Sequence, residues 1–282
     1  MPARSQLPVA VVTGASQGVG FEVCRQLAAL GYAVVLGSRD LRRAESAAKE
    51  LDADGERVTP AHIEVDNSVN IGQLATWIQQ RYGRVDAIVN NAATQPDRWA
   101  TAATSDLSPV AEALDVNLFG AWRVIQALLP LLRRSPRPRI VNVSSEAGSI
   151  ALMSGGRPAY SISKAALNAL TRSLAGELYR DGILVNAVDP GQVNADGARG
   201  SLRSAAQSAA SIVWAVTLPN GGPTGTFTRD GRELPWLPPS SPWSALVPGR
   251  FRQRPAAGRE VCSEVVRPGR GQADRSPPLG GW

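Results

Sequence analysis

Apolar positions alternate along this chain between short continuous runs and longer stretches of helical spacing. Residues 9–13 form an apolar run of strand length. From Phe21 through Val23, Leu27 and Leu30 the apolar residues then recur at helical intervals until Gly31 stops the pattern. A second apolar run, 33–36, precedes a helical segment 41–51, for which Asp40 is a suitable cap. The alternation continues with strand 58–65, helix 69–81, strand 85–90 and helices 108–116 and 117–132, the last ended by Pro136 and Pro138. Strand 140–144, helix 159–179 introduced by Pro158, strand 184–189, helix 204–217 and a short strand 226–228 complete the series. Apolar strands separated by helices predict an α/β fold: a doubly wound parallel sheet of about seven strands with helices on both faces. Ligands of such sheets bind at the carboxyl ends of the strands.

The turn between the first strand and the first helix is rich in glycine. Gly14 permits the tight turn, Gly18 lets the backbone approach a pyrophosphate, and Gly20 allows the helix to pack closely on the sheet. Ser16, Gln17 and Val19 complete a loop whose free N–H groups and positive helix end suit phosphate. In this setting the sheet is expected to be a dinucleotide-binding Rossmann fold. A second chemical signal lies downstream. Tyr160 and Lys164 stand four apart on a predicted helix, one turn above the other. An ammonium beside a phenol favours phenolate and is expected to lower the phenol's pKa toward working pH. Such a phenol can exchange a proton with an alcohol or carbonyl oxygen.

Together these residues resemble the short-chain dehydrogenase/reductase family, in its short single-domain type, over about residues 7–236. The glycine pattern is met by Thr13, Gly14, Gly18 and Gly20. The Asn-Asn-Ala-Gly motif falls on Asn90, Asn91, Ala92 and Ala93, with alanine in the last place. The family's asparagine falls on Asn117, its serine on Ser145 (Ser144 being the competitor, without Gly148 at the right spacing), its tyrosine and lysine on Tyr160 and Lys164, and its Pro-Gly pair on Pro190 and Gly191.

The resemblance implies an NAD(P)-dependent enzyme, carbonyl reductase-like, moving hydride between nicotinamide and a small-molecule carbonyl or alcohol. Tyr160 would give the proton, Ser145 would hold the substrate oxygen, Lys164 would lower the tyrosine pKa and reach the nicotinamide ribose, and Asn117 would anchor a relay water. Cofactor contacts would come from Gly14, Ser16, Gln17, Gly18, Val19, Gly20, Arg39, Glu64, Val65, Asn91, Ala92, Tyr160, Lys164, Pro190, Gly191 and Val193. NADP (NADPH) is expected over NAD. Where NAD-users carry an acidic residue stands Ser38, followed by Arg39, whose guanidinium can pair with a 2′-phosphate. The alternative is a non-catalytic NAD(P)-binding redox sensor or regulator on the same fold, which has no need of the Asn117, Ser145, Tyr160 and Lys164 set. Two departures bear on the pocket. The interval from Ser145 to Tyr160 is longer than usual, so loop 147–158 is expected to bulge. Ala195 replaces a threonine beside the nicotinamide amide, at the start of a small-residue-rich lid, 194–204. Helices 117–132 and 159–179 carry more apolar positions than one buried face needs, and a homodimer or homotetramer is expected.

Composition limits the alternatives. A chain of 282 residues with 43% apolar content suffices for one α/β core. Its charge of +6 is uneven: residues 237–282 hold seven arginines against three acids, a net of +4 that leaves +2 for the first 236. That stretch also has eight prolines, six glycines and no apolar period, which predicts a disordered tail behind a single domain of residues 1–236. Its basic and aromatic residues are not interleaved as in nucleic-acid modules, so no nucleic-acid role is expected. No metal is expected either: Cys24 and Cys262 lie far apart, and His62, the single histidine, has no second ligand near it and reads as structural. With neither a signal-peptide pattern nor an apolar run of about 18 residues, the expected location is the cytoplasm, away from membranes. Only two of the 30 basic residues, Lys49 and Lys164, are lysines, so a lysine one turn after Tyr160 stands out from its background.

Overall fold

The computed structural model describes residues 7–97, 100–192 and 203–236. The expectations placed on the tail 237–282, on Val193 and Ala195, and on all but the last two residues of segment 194–204 fall outside the described residues. Fifteen main elements follow one another: β1 (Val9–Val12), α1 (Gly18–Ala29), β2 (Ala33–Ser38), α2 (Leu41–Leu51), β3 (Val58–His62), α3 (Ser68–Tyr82), β4 (Ala87–Asn90), α4 (Ser108–Leu114), α5 (Ala121–Leu132), β5 (Arg139–Val143), α6 (Pro158–Glu177), β6 (Leu184–Val188), α7 (Ala205–Thr217), β7 (Phe227–Arg229) and β8 (Arg232–Glu233).

The strands form one sheet in the order β3-β2-β1-β4-β5-β6-β7-β8, in which β1 to β7 are parallel and β8 is antiparallel to β7. The chain winds outward from β1 to β2 and β3, then returns to the other side of β1 with β4. Between the carboxyl ends of β1 and β4 lies the switch point at which such sheets bind ligands. Strand alternation decides which side chain meets which helical layer. Val9 and Val11 of β1 pack with Ile71 and Ile78 of α3, Leu128 of α5 and Leu167 of α6. Ala10 and Val12 pack on the opposite face with Leu27 of α1, Ala44 of α2 and Ile212 of α7.

The eight strands exceed the expected seven by β8, a two-residue strand too short to carry any period. It closes a hairpin through Asp230 and Gly231, both at positive φ (54° and 73°), the conformation for which Asp-Gly is a favoured pair. Asp40 caps α2 as expected, accepting from the Arg43 N–H at 3.2 Å. Between α4 and α5, residues Asp115–Gly120 form a π-helical turn that contains Asn117.

Candidate active site

At the switch point a groove of about 510 Å³ is lined by Gly14, Ser16, Gln17, Gly18, Ser38, Arg39, Glu64, Val65, Asn91 and Ala92, among others. Its floor is a backbone crossing. The Asn91 amide donates to the Thr13 and Gly14 carbonyls at 2.9 and 2.8 Å, and the Asn91 and Ala92 N–H groups both donate to Thr13 Oγ1 at 3.0 Å. Asn91 thus stitches the end of β4 to the turn after β1. A Cβ on Gly14 would stand 2.7 Å from Ala92 Cα, and one on Gly20 2.5 Å from the Asn91 amide nitrogen, so both glycines are required by that crossing. Gly18 differs: at φ +63° it has open space around it and faces the groove. A backbone that crowds nothing on its ligand side, at the start of a 12-residue helix, fits the pyrophosphate of a dinucleotide.

Not every residue assigned to the cofactor lines this groove. Val19, in the first turn of α1, packs against the core, and Gly20 beside it is buried. Pro190 and Gly191 follow β6, where the Gly191 N–H donates to Asp189 Oδ1 at 2.8 Å, outside the groove lining. Arg39 is exposed at the rim, and with Glu64, Asp66 and Asn67 it also lines an adjoining hollow of about 490 Å³. His62, at the end of β3, has its Nε2 3.2 Å from Glu64 Oε1.

Ser145, Tyr160 and Lys164 come together past the end of β5. Ser145 caps a short 3-10 turn, Glu146–Gly148, through a hydrogen bond from the Ala147 N–H at 3.2 Å, and it also hydrogen-bonds the Tyr160 phenol. The hydroxyl of Ser144 is buried and has no hydrogen-bond partner among the described residues. Lys164 lies one helical turn beyond Tyr160, its Nζ 5.7 Å from the ring centroid and donating to the Val143 carbonyl at 2.7 Å. Asn117 is fully buried on the π-helical turn. Its amide donates to the Thr94 carbonyl at 2.9 Å and to Ser163 Oγ at 2.9 Å, and its oxygen accepts from the Thr94 N–H at 2.8 Å. π-helical turns of this kind are frequent at functional sites because they re-aim one residue out of the α register.

The electrostatics correct one expectation. Burial raises the Tyr160 pKa above the ordinary phenol value; the Ser145 hydrogen bond opposes the rise, Asp189 adds to it, and Arg157 opposes it. The same desolvation pushes the Lys164 ammonium down to about 8. Burying the pair together therefore outweighs the expected lowering of the phenol by its lysine.

Two groups escaped the sequence reading. Asp97, buried on the loop after β4, accepts from the Ala159 N–H at 2.6 Å and the Tyr160 N–H at 3.2 Å, fixing the first turn of α6. Arg157 places its guanidinium carbon 6.0 Å from the Tyr160 ring centroid. No motif marks either residue, and Asp97 lies about sixty positions from its partners.

A family model described as short chain dehydrogenase matches residues 8–205. Short-chain dehydrogenase/reductase 1 of Saponaria officinalis is 32% identical, over 82% of this chain and 97% of that protein. Salutaridine reductase of Papaver bracteatum is 31% identical, over 79% of this chain and 94% of that protein. Among solved structures, an NADPH-bound carbonyl reductase from chicken fatty liver superposes with a TM-score of 0.73 at 25% identity, over 82% of this chain and 99% of that one.

Proposed function

The chain belongs to the short-chain dehydrogenase family and is an oxidoreductase of that family, and from that premise we propose that it is an NADPH-dependent reductase of a small carbonyl compound. The observation that carries the reading is the convergence of Ser145 and Lys164 on Tyr160 beside the dinucleotide groove. When bound, the nicotinamide supplies the hydride. The Tyr160 phenol, protonated at neutral pH like any phenol and kept so by its burial, gives its proton to the substrate oxygen. Ser145 Oγ donates a hydrogen bond to that oxygen as negative charge develops on it. Lys164, held on the Val143 carbonyl, sets the field at the ring and would hold a ribose hydroxyl of the cofactor. Asn117 locks the π-helical turn to Ser163 of α6 and is assigned the anchoring of a relay water.

Arg39, exposed where the groove opens into the adjoining hollow, is assigned to a 2′-phosphate, which makes NADPH the preferred cofactor. Phe119, Trp122 and Ile162 remain exposed around the π-helical turn, α5 and α6, which supports a homodimer or homotetramer formed through these helices. The domain proposed is residues 1–236. The cytoplasm is proposed as its location, in keeping with the buried free thiol of Cys24. The test is loss of NADPH absorbance against a panel of neutral aldehydes and ketones, with the Tyr160→Phe variant alongside. Turnover by the wild type and a drop of about 10²–10⁴-fold in the variant are expected. A variant that reduces its substrate at the wild-type rate refutes Tyr160 as the donor.

A further inference from the structure

Two cations flank the Tyr160 ring. Lys164 Nζ is 5.7 Å from its centroid and the Arg157 guanidinium carbon is 6.0 Å away. They differ in every other respect. Lys164 is buried, is committed to the Val143 carbonyl and holds its proton with a pKa of only about 8. Arg157 is exposed, and among the described residues its side chain has no ion pair and no hydrogen-bond acceptor. Its backbone is held from two sides: the preceding Gly156 bridges to Ala100, and Asp97 grips the N–H groups of Ala159 and Tyr160.

We propose that Arg157 is a positioning residue for the acid–base step, a permanent cation over the Tyr160 ring that stabilises the phenolate left when the proton is given. The inference rests on the reading of Tyr160 as proton donor. The remaining groups around the phenol cannot do the same work. Ser145, on the loop after β5, is a neutral hydrogen-bond partner. Asp189, buried at the end of β6, is negative, and Arg229, which pairs with it and with Glu146, is committed to those carboxylates. Asp97 is negative and bound to the helix N–H groups. Lys164 loses its charge as pH passes about 8, below the range in which a buried phenol titrates, whereas a guanidinium stays charged throughout. Above that pH, Arg157 is the cation left beside the ring. For an exposed charge about 6 Å from a ring the effect is about 0.5–1 pH unit, and it weakens as salt screens the guanidinium.

The experiment follows kcat/KM for reduction of a neutral carbonyl substrate against pH in the wild type, Arg157→Gln and Arg157→Lys, at low salt and at about 0.5 M salt. Reduction needs the protonated phenol, so activity falls as pH passes the Tyr160 pKa. In Arg157→Gln at low salt the falling limb is expected to move upward by about 0.5–1 pH unit. Arg157→Lys should fall between the two, because an exposed lysine loses its own proton near about 10.4, in the range where the phenol titrates, and high salt should carry the wild-type limb toward that of Arg157→Gln. Superimposable profiles for wild type and Arg157→Gln, or a wild-type limb that high salt leaves in place, overturn the proposal. A parallel absorbance titration of the Tyr160 phenolate, as the difference between each protein and its Tyr160→Phe counterpart, keeps the two readings apart. If the wild type reduces no carbonyl, the functional reading fails while the titration still reports whether Arg157 sets the acidity of Tyr160.

Discussion

Gly148 lies against Lys164 so closely that a Cβ at position 148 would stand 2.7 Å from the Lys164 carbonyl carbon and 2.8 Å from its Cβ. The 3-10 turn that carries Ser145 is thus seated directly on the helix that carries Tyr160 and Lys164, and the absence of a side chain at 148 sets the spacing. Gly148→Ala is expected to push the turn off α6, lengthen the hydrogen bond between Ser145 and Tyr160, and lower kcat by about 10–10²-fold, because small misplacements of reacting groups have costs of that order. The dinucleotide groove is built from other loops, so the affinity for NADPH measured by fluorescence should change little. Unchanged kcat would show that the turn can give way without disturbing the site.

The two adjacent serines should behave differently. Ser145 bonds the phenol, whereas the Ser144 hydroxyl is buried without a partner among the described residues. Ser145→Ala should lower kcat by about 10²-fold or more, on the scale of losing one donor to a developing oxyanion. Ser144→Ala removes a polar atom that gains nothing from the protein, so turnover should stay within a few-fold of wild type and stability should hold or rise slightly. Steady-state kinetics and urea denaturation of both variants check this, and the reverse order of effects would reassign the catalytic serine.

Much of this was legible in the chain because it rests on local periods. The apolar run of β1 and the glycine turn behind it specify a strand, a phosphate loop and a helix without reference to anything distant, and Tyr160 and Lys164 fall on one face by helical geometry alone. What was not legible depends on partners far away in sequence. Asp97 is an ordinary polar loop residue until the fold brings it to the N-terminus of α6. Arg139 reads as the polar residue before strand 140–144, yet it is the buried first residue of β5, its guanidinium donating to the Leu218 carbonyl, the Pro138 carbonyl and Asn220 Oδ1. The π-helical turn around Asn117 reads as a boundary between two helices, since an inserted residue shifts the period without ending it. The direction of the Tyr160 pKa is not legible in the chain because spacing shows which charges are near and says nothing of how much water both groups have lost.

Arg39 offers a test of cofactor choice. Its side chain is exposed at the groove rim, free to reach a 2′-phosphate, and Asp40 beside it is engaged in capping α2. A charge-assisted bidentate contact is worth roughly 1.5–3 kcal/mol, or about 10–150-fold in kcat/KM. Arg39→Asp should therefore lower kcat/KM with NADPH by that factor and raise it with NADH, because the new carboxylate repels a 2′-phosphate and accepts from a 2′-hydroxyl. The ratio of the two rates, measured before and after substitution, decides the matter. Equal efficiency with both cofactors in the unmodified protein would remove the basis for the NADPH preference.

Lys164 makes stability depend on pH in a direction that can be worked out. Its pKa is about 8 in the folded protein against 10.5 for an unperturbed lysine, the whole displacement coming from burial. Between those values the unfolded chain binds more protons at this site than the folded one, so the stability of the protein without cofactor rises with pH. Below about 8 both states are protonated and the cost of holding a buried ammonium is felt in full; above about 10.5 it is gone. Lys164→Met replaces the ammonium with an apolar side chain of similar length and has no such dependence, although it leaves the Val143 carbonyl unpaired at every pH. The difference in unfolding free energy between wild type and Lys164→Met should consequently move in favour of the wild type by about 2 kcal/mol from pH 7 to pH 9.5. Urea denaturation of the two proteins across that range measures it. A flat difference would mean that Lys164 keeps its ordinary pKa in the folded state, with water or a neighbouring carboxylate compensating its charge. In that case Lys164 would remain a constant cation beside the Tyr160 ring through the same pH range.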